Sequence, residues 1–375
     1  FILFAIKNFI MKKKKRIKKI FSYLNNSVDV ILLKNQSESF IDQNFFYATG
    51  VKEGLFEGCA SVLYPDGKAN LIVSRLESDL AKKTKHDVLI YKNKKEFDNI
   101  LKKILKNKKN IGLNFDGISY KTYQMIEDLF SKKEFFDVSK SLVQSRMIKD
   151  REEIETIRKA CGIADKVAAK IPSLCYKNMY EYELAAEIDY LLQKNGADKS
   201  AFLTISSFGK NTSLPHYSHG KNKLKKGDFI LCDFGASYNK YNSDITRTFI
   251  LGKPSKKQKN IFETVLKAQK KGIEKIKPGL KGKKIHEIVY NVINNTEFKD
   301  HFIHSTGHSL GIEVHDGGVG FNSECDVKLE KNMVLTVEPG IYLPNFGGVR
   351  IEDDLIINKD GAEILTKANK DLIEI

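Results

Sequence analysis

Two stretches decide how this chain folds: Phe229-Ile230-Leu231-Cys232-Asp233-Phe234-Gly235 and Asn242-Ser243-Asp244-Ile245-Thr246-Arg247-Thr248. Each joins an apolar, strand-like run to one carboxylate, and the two aspartates are eleven positions apart. Paired as antiparallel strands across residues 235–243, the runs would turn both carboxylates toward one cavity. Asp233 follows a run that reads as buried, and a buried carboxylate is costly unless donors or a metal ion satisfy it. The competing reading makes Asp233 a turn cap and leaves Asp244 in solvent.

Three further positions join this pair: His308 in Ser305-Thr306-Gly307-His308-Ser309-Leu310-Gly311, Glu338 in Thr336-Val337-Glu338-Pro339-Gly340, and Glu352 in Val349-Arg350-Ile351-Glu352-Asp353. Four carboxylates and one imidazole suffice to hold a pair of divalent cations, with carboxylates left to bridge them. Glycine on either side of a ligand histidine lets backbone approach closely where a metal must fit. Strand alternation puts Arg350 and Glu352 on one face. Taken singly, His308 could be a satisfied core histidine and Glu352 half of a surface ion pair. Seven of the eight histidines fall between 216 and 315. Of these, His286 reads as a helix-surface residue, and His301 and His304 as structural.

At 375 residues the chain exceeds the usual size of one domain. From about 22 to 140 strand and helix patterns alternate. Val28–Leu33 and Phe45–Ala48 read as strands, and Cys59–Tyr64 with Ala69–Ser74 as a hairpin around Pro65-Asp66-Gly67. A helix near Glu77–Lys85, a strand at Val88–Tyr91, a helix at Glu96–Leu105, a strand at Ile111–Asn114 and a helix at Lys121–Phe130 follow. This predicts an α/β domain with a mixed sheet over 21–145, structural or interface-forming in role. Beyond a boundary near Asp150 the pattern predicts helices from Asp150 and over Tyr180–Lys194, strands at 229–234 and 246–251, and helices at Gln258–Ile276 and Lys283–Asn294. Strands at Leu310–Val314, Val334–Val337, Val349–Ile351 and Leu355–Ile357 close the domain of residues 146–375. Two helices thus precede each ligand-bearing strand region, which hints at an internal duplication without a residue-level repeat.

Composition narrows the function. The formal net charge is +16, but residues 1–20 carry eight basic side chains and no acidic one. Only seven of the 63 basic residues are arginine, the better bidentate reader of phosphate. We therefore expect no nucleic-acid partner. No run approaches the roughly 18 apolar residues of a membrane span, so no membrane association is expected. Five scattered cysteines without a close pair argue against a disulfide framework and for a reducing, cytoplasmic setting. Phe1–Ile10 precedes Met11 and its basic run, the reverse of a secretory signal. Met11 is the expected start, residues 1–10 an upstream remnant, and residues 1–20 a disordered basic segment.

The spacing of the two aspartates, the Gly-His, the Glu-Pro-Gly and the glutamate after Gly-Val-Arg-Ile resembles that of the pita-bread metallopeptidases, which include Xaa-Pro aminopeptidases, prolidases and methionine aminopeptidases. Asn44-Phe45-Phe46-Tyr47-Ala48-Thr49-Gly50 is similar to the creatinase-type N-terminal domain of Xaa-Pro-specific members. The resemblance implies a pseudo-two-fold α/β catalytic domain and two divalent ions held by Asp233, Asp244, His308, Glu338 and Glu352. Asp244 and Glu352 would bridge, Asp233 would bind one ion, and His308 and Glu338 the other. Carboxylate-rich ligation favours Mn over Co, Fe or Zn. The resemblance further implies a bridging water of lowered pKa as nucleophile, with Glu338 moving its proton. His216 and His315 match two non-ligand histidines that bind substrate carbonyls, and Arg350 would orient ligand carboxylates.

The chain departs from the family at His315-Asp316, where His-Glu is common. It departs again at Gly317-Gly318-Val319-Gly320, where prolidases place an arginine for a dipeptide's carboxylate. That second departure favours an Xaa-Pro aminopeptidase acting on longer proline-containing peptides, with a prolidase as the alternative and a metal-free binding module behind both. A homodimer or higher homo-oligomer is expected from the same resemblance.

Overall fold

The computed structural model describes residues 14–375, the side chain of Ser39 excepted. Residues 14–22 form helix α1, with Ile17 and Ile20 fully buried on one face. The expected disordered basic segment is therefore helical from 14 on, because its two isoleucines lie a helical turn apart. The expected upstream remnant, residues 1–10, lies outside the described residues. The chain divides into two compact units at Arg146/Met147.

The first unit is built on a six-stranded mixed sheet in the order β4-β3-β2-β1-β5-β6. Its elements run β1 (Val30–Lys34), α2 (Gln43–Thr49), β2 (Ala60–Leu63), β3 (Ala69–Ser74), α3 (Ser78–Lys82), β4 (Asp87–Tyr91), α4 (Lys94–Leu105), β5 (Asn110–Leu113), α5 (Tyr120–Leu129), β6 (Glu134–Asp137) and α6 (Ser139–Met147). The hairpin β2–β3 forms in the expected register, Leu63 opposite Ala69. Phe45–Ala48 lies in a helix and not in a strand. Asp42 caps it by accepting from Asn44 N at 2.9 Å, and Gly50 ends it in the left-handed region at φ 66°. A short apolar run buried on every side carries no period that separates the two states.

The second unit stacks two helix pairs on two sets of strands. Its first part runs α7 (Arg151–Ala168), α8 (Ile171–Leu174), α9 (Glu181–Lys194), β7 (Lys199–Ser200), β8 (Ile205–Phe208), β9 (Phe229–Phe234), β10 (Ala236–Tyr238), β11 (Tyr241–Asn242) and β12 (Ile245–Ile250). The second part runs α10 (Lys256–Lys275), α11 (Gly282–Asn294), β13 (Gly307–His308), β14 (Gly320–Phe321), β15 (Val334–Val337), β16 (Gly340–Leu343), β17 (Gly347–Arg350), β18 (Asp353–Ile357) and β19 (Ala362–Ile364). α7 starts on a capping box in which Asp150 accepts from the backbone of Glu152 and Glu153 while Glu153 accepts from Asp150 N. Its apolar stripe, with that of α9, packs on β8, β9 and β12 through Ala164, Val167, Leu184 and Ile188 against Phe208, Ile230 and Phe234. α10 and α11 repeat the arrangement, placing Val265, Ala268, Val289 and Ile293 against Ile341, Val349 and Ile351. Residues 310–314, expected as a strand, form a loop instead. A turn bond from Gly311 N to Glu313 O and a buried Lys149–Asp316 pair hold them.

β9 and β12 pair antiparallel with Thr246 opposite Asp233, as the opening motifs required. Arg247, on the opposite face, is buried and donates to Asp353 Oδ1 at 2.8 Å and to the carbonyls of Ala368 and Asn369 at 2.8 and 3.0 Å. It ties β12 to the C-terminal segment, whose Ile375 N donates to Ile250 O at 2.9 Å. Gly235 lets β9 and its return approach closely, since a Cβ there would sit 1.9 Å from Ser243 O. Gly235→Ala should therefore separate the strands that carry Asp233 and Asp244. We expect a loss of about 1–3 kcal/mol in unfolding free energy on denaturant titration, against little change for Gly162→Ala, whose Cβ position is open.

Candidate active site

Asp233, Asp244, His308, Glu338, Glu352, His216, His315 and Arg350, all singled out by the sequence, line one cavity of about 640 Å³ in the second unit. Strand geometry delivers them. β9 presents Asp233 at its end, Asp244 immediately precedes β12, and Glu338 follows β15 at the Pro339-Gly340 bend. Glu352 lies between β17 and β18, where its backbone N–H donates to Thr246 O at 3.2 Å. Gly307 brings β13 against β15, for a Cβ there would lie 2.0 Å from Thr336 O.

Asp244, His308 and Glu352 each offer a donor atom within 4.8 Å of the others. His308 Nε2 is 3.5 Å from Asp244 Oδ2 and 3.6 Å from Glu338 Oε1. Arg350 NH2 donates to Asp233 Oδ2, and Arg350 NH1 to Tyr342 Oη at 2.8 Å. Thr246 donates to Glu352 Oε2 at 2.6 Å while accepting from Arg350 Nε at 3.1 Å. The rings of His308 and His315 meet edge to face, their centroids 4.2 Å apart.

The electrostatics follow from burial. Desolvation, then the neighbouring Glu352, pushes the Asp244 carboxyl well above the usual range. Glu352 is driven up likewise, by burial and then by Glu338. Glu338 is pushed up to about 8, chiefly by burial. His308 falls to about 4 through burial and then His315, so its imidazole is neutral and able to ligate.

Among the described residues, Asp233 Oδ1 and Glu352 Oε1 are buried without a hydrogen-bond partner. Four crowded carboxylates, two of them with an orphaned oxygen, and a neutral imidazole form a donor set of oxygens and one nitrogen beside one buried guanidinium. That set fits divalent cations.

Several contributors escaped the sequence reading. Thr246 was legible, since it shares the alternation of Asp244. Asp354 was not. It is buried, and its Oδ2 accepts from Asp244 N at 2.8 Å and from Cys161 Sγ at 3.3 Å. Nor was Glu181, a buried carboxylate that accepts from Phe208 N, Asn211 Nδ2, Tyr217 Oη and Gly220 N at 2.8–3.1 Å. It anchors the segment that carries the exposed His216. His304, read as structural, lines the cavity and meets Tyr342 Oη at 2.8 Å. His286, read as a helix-surface residue, is half-buried and its Nδ1 lies 3.0 Å from Thr306 Oγ1.

Residues 155–359 match the metallopeptidase family M24, and residues 16–148 the creatinase/prolidase N-terminal domain. The chain belongs to metallopeptidase family M24. It is 37% identical over 362 residues to a Xaa-Pro dipeptidase of Pyrococcus furiosus, an alignment covering 96% of this chain and 100% of that protein. The crystal structure of the prolidase from Pyrococcus horikoshii superimposes with a TM-score of 0.87 at 36% identity, covering 96% of this chain and 100% of that one. An X-Pro aminopeptidase from Thermotoga maritima also superimposes at 0.87, with 31% identity over 93% of this chain and 98% of that one. The two-domain α/β architecture is thus that of prolidase-like M24 enzymes, a family that implies bound divalent metal ions. Among the described residues no helix is long and apolar enough to cross a membrane.

Burial of these carboxyls has a measurable consequence in chelator-treated protein. Their folded-state pKa values lie above the unfolded ones, so the folded chain binds more protons and stability falls as pH rises through that interval. The depressed His304 and His308, at about 3 and 4, work the opposite way only below their unfolded value near 6.5. Between pH 7 and 8 the carboxyls outweigh these histidines, while Lys34, lowered to about 8 by burial, begins to oppose them. The melting temperature of chelated protein should drop across that range, and Mn²⁺ should restore it most at pH 8. A flat profile would contradict the burial argument.

Proposed function

We propose that this M24 metallopeptidase is a Xaa-Pro dipeptidase, hydrolysing the bond between an N-terminal residue and proline. The observation that carries this reading is end-to-end similarity to proteins named Xaa-Pro dipeptidase, at 37% and 38% identity over 96% and 97% of the chain. It displaces the preference for an aminopeptidase that rested on Gly317-Gly318-Val319-Gly320. That loop still supports the aminopeptidase as the second reading, because it offers no cation to a dipeptide's carboxylate, and the Thermotoga maritima aminopeptidase shares the fold.

In this reading Asp233, Asp244, His308, Glu338 and Glu352 hold two divalent cations, with Mn²⁺ favoured by the oxygen-rich donor set. When bound, such ions polarise the scissile carbonyl and make water nucleophilic at neutral pH.

The chain's own residues do the remaining work. An Xaa-Pro bond is a tertiary amide without an N–H, so recognition falls to its carbonyl and to the shape of the proline ring. His315 and His216 donate to that carbonyl as negative charge develops on it. Phe202, Ile205, Pro215 and Val314 give the cavity an apolar wall that excludes water around the ring. Glu338 takes up the proton that the attacking water gives up and passes it to the departing prolyl nitrogen. Arg350 fixes the carboxylate of Asp233 and, through its 3.4 Å contact with Pro215 O, braces the segment bearing His216.

Purified, Mn²⁺-loaded protein should cleave an Xaa-Pro dipeptide with kcat/KM at least about tenfold above the matching Xaa-Pro-Gly tripeptide, a difference of about 1.4 kcal/mol. Preference for the tripeptide would favour the aminopeptidase. Asp244→Ala should lower both Mn²⁺ content and dipeptide turnover by about 100-fold or more. Retained metal and turnover would remove the dinuclear site from this cavity.

A further inference from the structure

Lys149 is fully buried, and its ammonium lies 2.9 Å from Oδ2 of an equally buried Asp316. The cost of desolvating both charges offsets much of their attraction, so such a pair contributes little net stability. What it holds in place matters more.

Asp316 directly follows His315, and its backbone N–H donates to Ser309 O, the residue after His308, at 2.9 Å. One aspartate thus closes a loop with a site histidine at each end. Within the loop Ser309 Oγ donates to Gly317 O at 2.7 Å and Gly311 N to Glu313 O at 3.0 Å. Gly311 makes room for the ion pair, since a Cβ there would sit 2.1 Å from Asp316 Oδ2 and 3.0 Å from Lys149 Cε. From the other side, Lys149 N donates to Asn332 O at 2.9 Å and Ile148 bridges Met333, at the entry to β15 and hence to Glu338. The ammonium connects that strand to the loop from which both histidines project.

We propose that Lys149, acting through Asp316, is a positioning residue that sets the spacing of His308 and His315. It thereby aligns a metal-ligating imidazole with a carbonyl-binding one, and in this it rests on the peptidase reading above. Directional donors at both ends fix the loop in one arrangement, where an apolar pair of the same volume would let it slide.

The test compares Lys149→Met, Asp316→Asn and the double variant, which buries no formal charge at this site. Histidine-selective ¹⁵N labelling of chelator-treated protein reads the imidazoles without any turnover. In all three variants the His308 and His315 resonances should shift and broaden, while those of His86 and His301 stay in place. Mn²⁺ affinity by calorimetry and kcat on an Xaa-Pro dipeptide should each fall about tenfold or more, with KM changing less than about threefold. The double variant should be no worse than the poorer single one, because both remove the same bond. If Lys149→Met does not fold, Asp316→Asn and the double variant carry the comparison.

A double variant with unmodified resonances, Mn²⁺ affinity and kcat overturns the proposal. An unmodified chain that cleaves no Xaa-Pro peptide overturns the functional reading instead, and the resonances still decide what Lys149 does.

Discussion

Everything in the second unit answers to one constraint: Asp233, Asp244, Glu338 and Glu352 line a single cavity and are largely withdrawn from water. Left to themselves they would repel and stay protonated, and the upward drift of the Asp244, Glu338 and Glu352 carboxyls records that tendency. The protein supplies one buried guanidinium, Arg350, together with the hydroxyls of Thr246 and Tyr342. That is too little positive charge to neutralise the group, and the remainder is what a divalent metal centre supplies.

The scaffold meets this constraint by symmetry of construction. One helix pair backs β9 and β12, the source of two carboxylates, and a second pair backs the strands that deliver the other two. Neither set holds enough donors for two ions alone. The cavity is completed where the sets meet, through bonds such as Thr246 to Glu352 and Arg350 to Asp233. Glycines at 235 and 307 permit this approach, because main-chain oxygens occupy the space a side chain would need.

The sequence made the strands that carry the proposed ligands legible because each combines an unbroken apolar run with a carboxylate that has no ordinary reason to be there. Helix boundaries were legible where caps are strong, as at Asp150 and Asn195. Phe45–Ala48 misled because its helix, Gln43–Thr49, buries six of its seven residues and so shows no amphipathic period. Leu310–Val314 misled because its apolar residues serve a loop held by a lysine some 160 positions upstream. Long-range polar partners such as Glu181, Asp354 and Lys149 leave no local trace. The likeness to dipeptidases, which extends along the whole chain, favours the alternative reading over the aminopeptidase, because one missing arginine is only a local sign.

Arg247 joins the backbone of Glu352 and the side chain of Asp353 to the carbonyls of Ala368 and Asn369, and residues 373–375 then pair with β12. The strand that follows Asp244 is thus held by β9 along its length and by residues 373–375 at Ile250, so loosening the segment from 368 onward would release Arg247 and, with it, the backbone of Glu352.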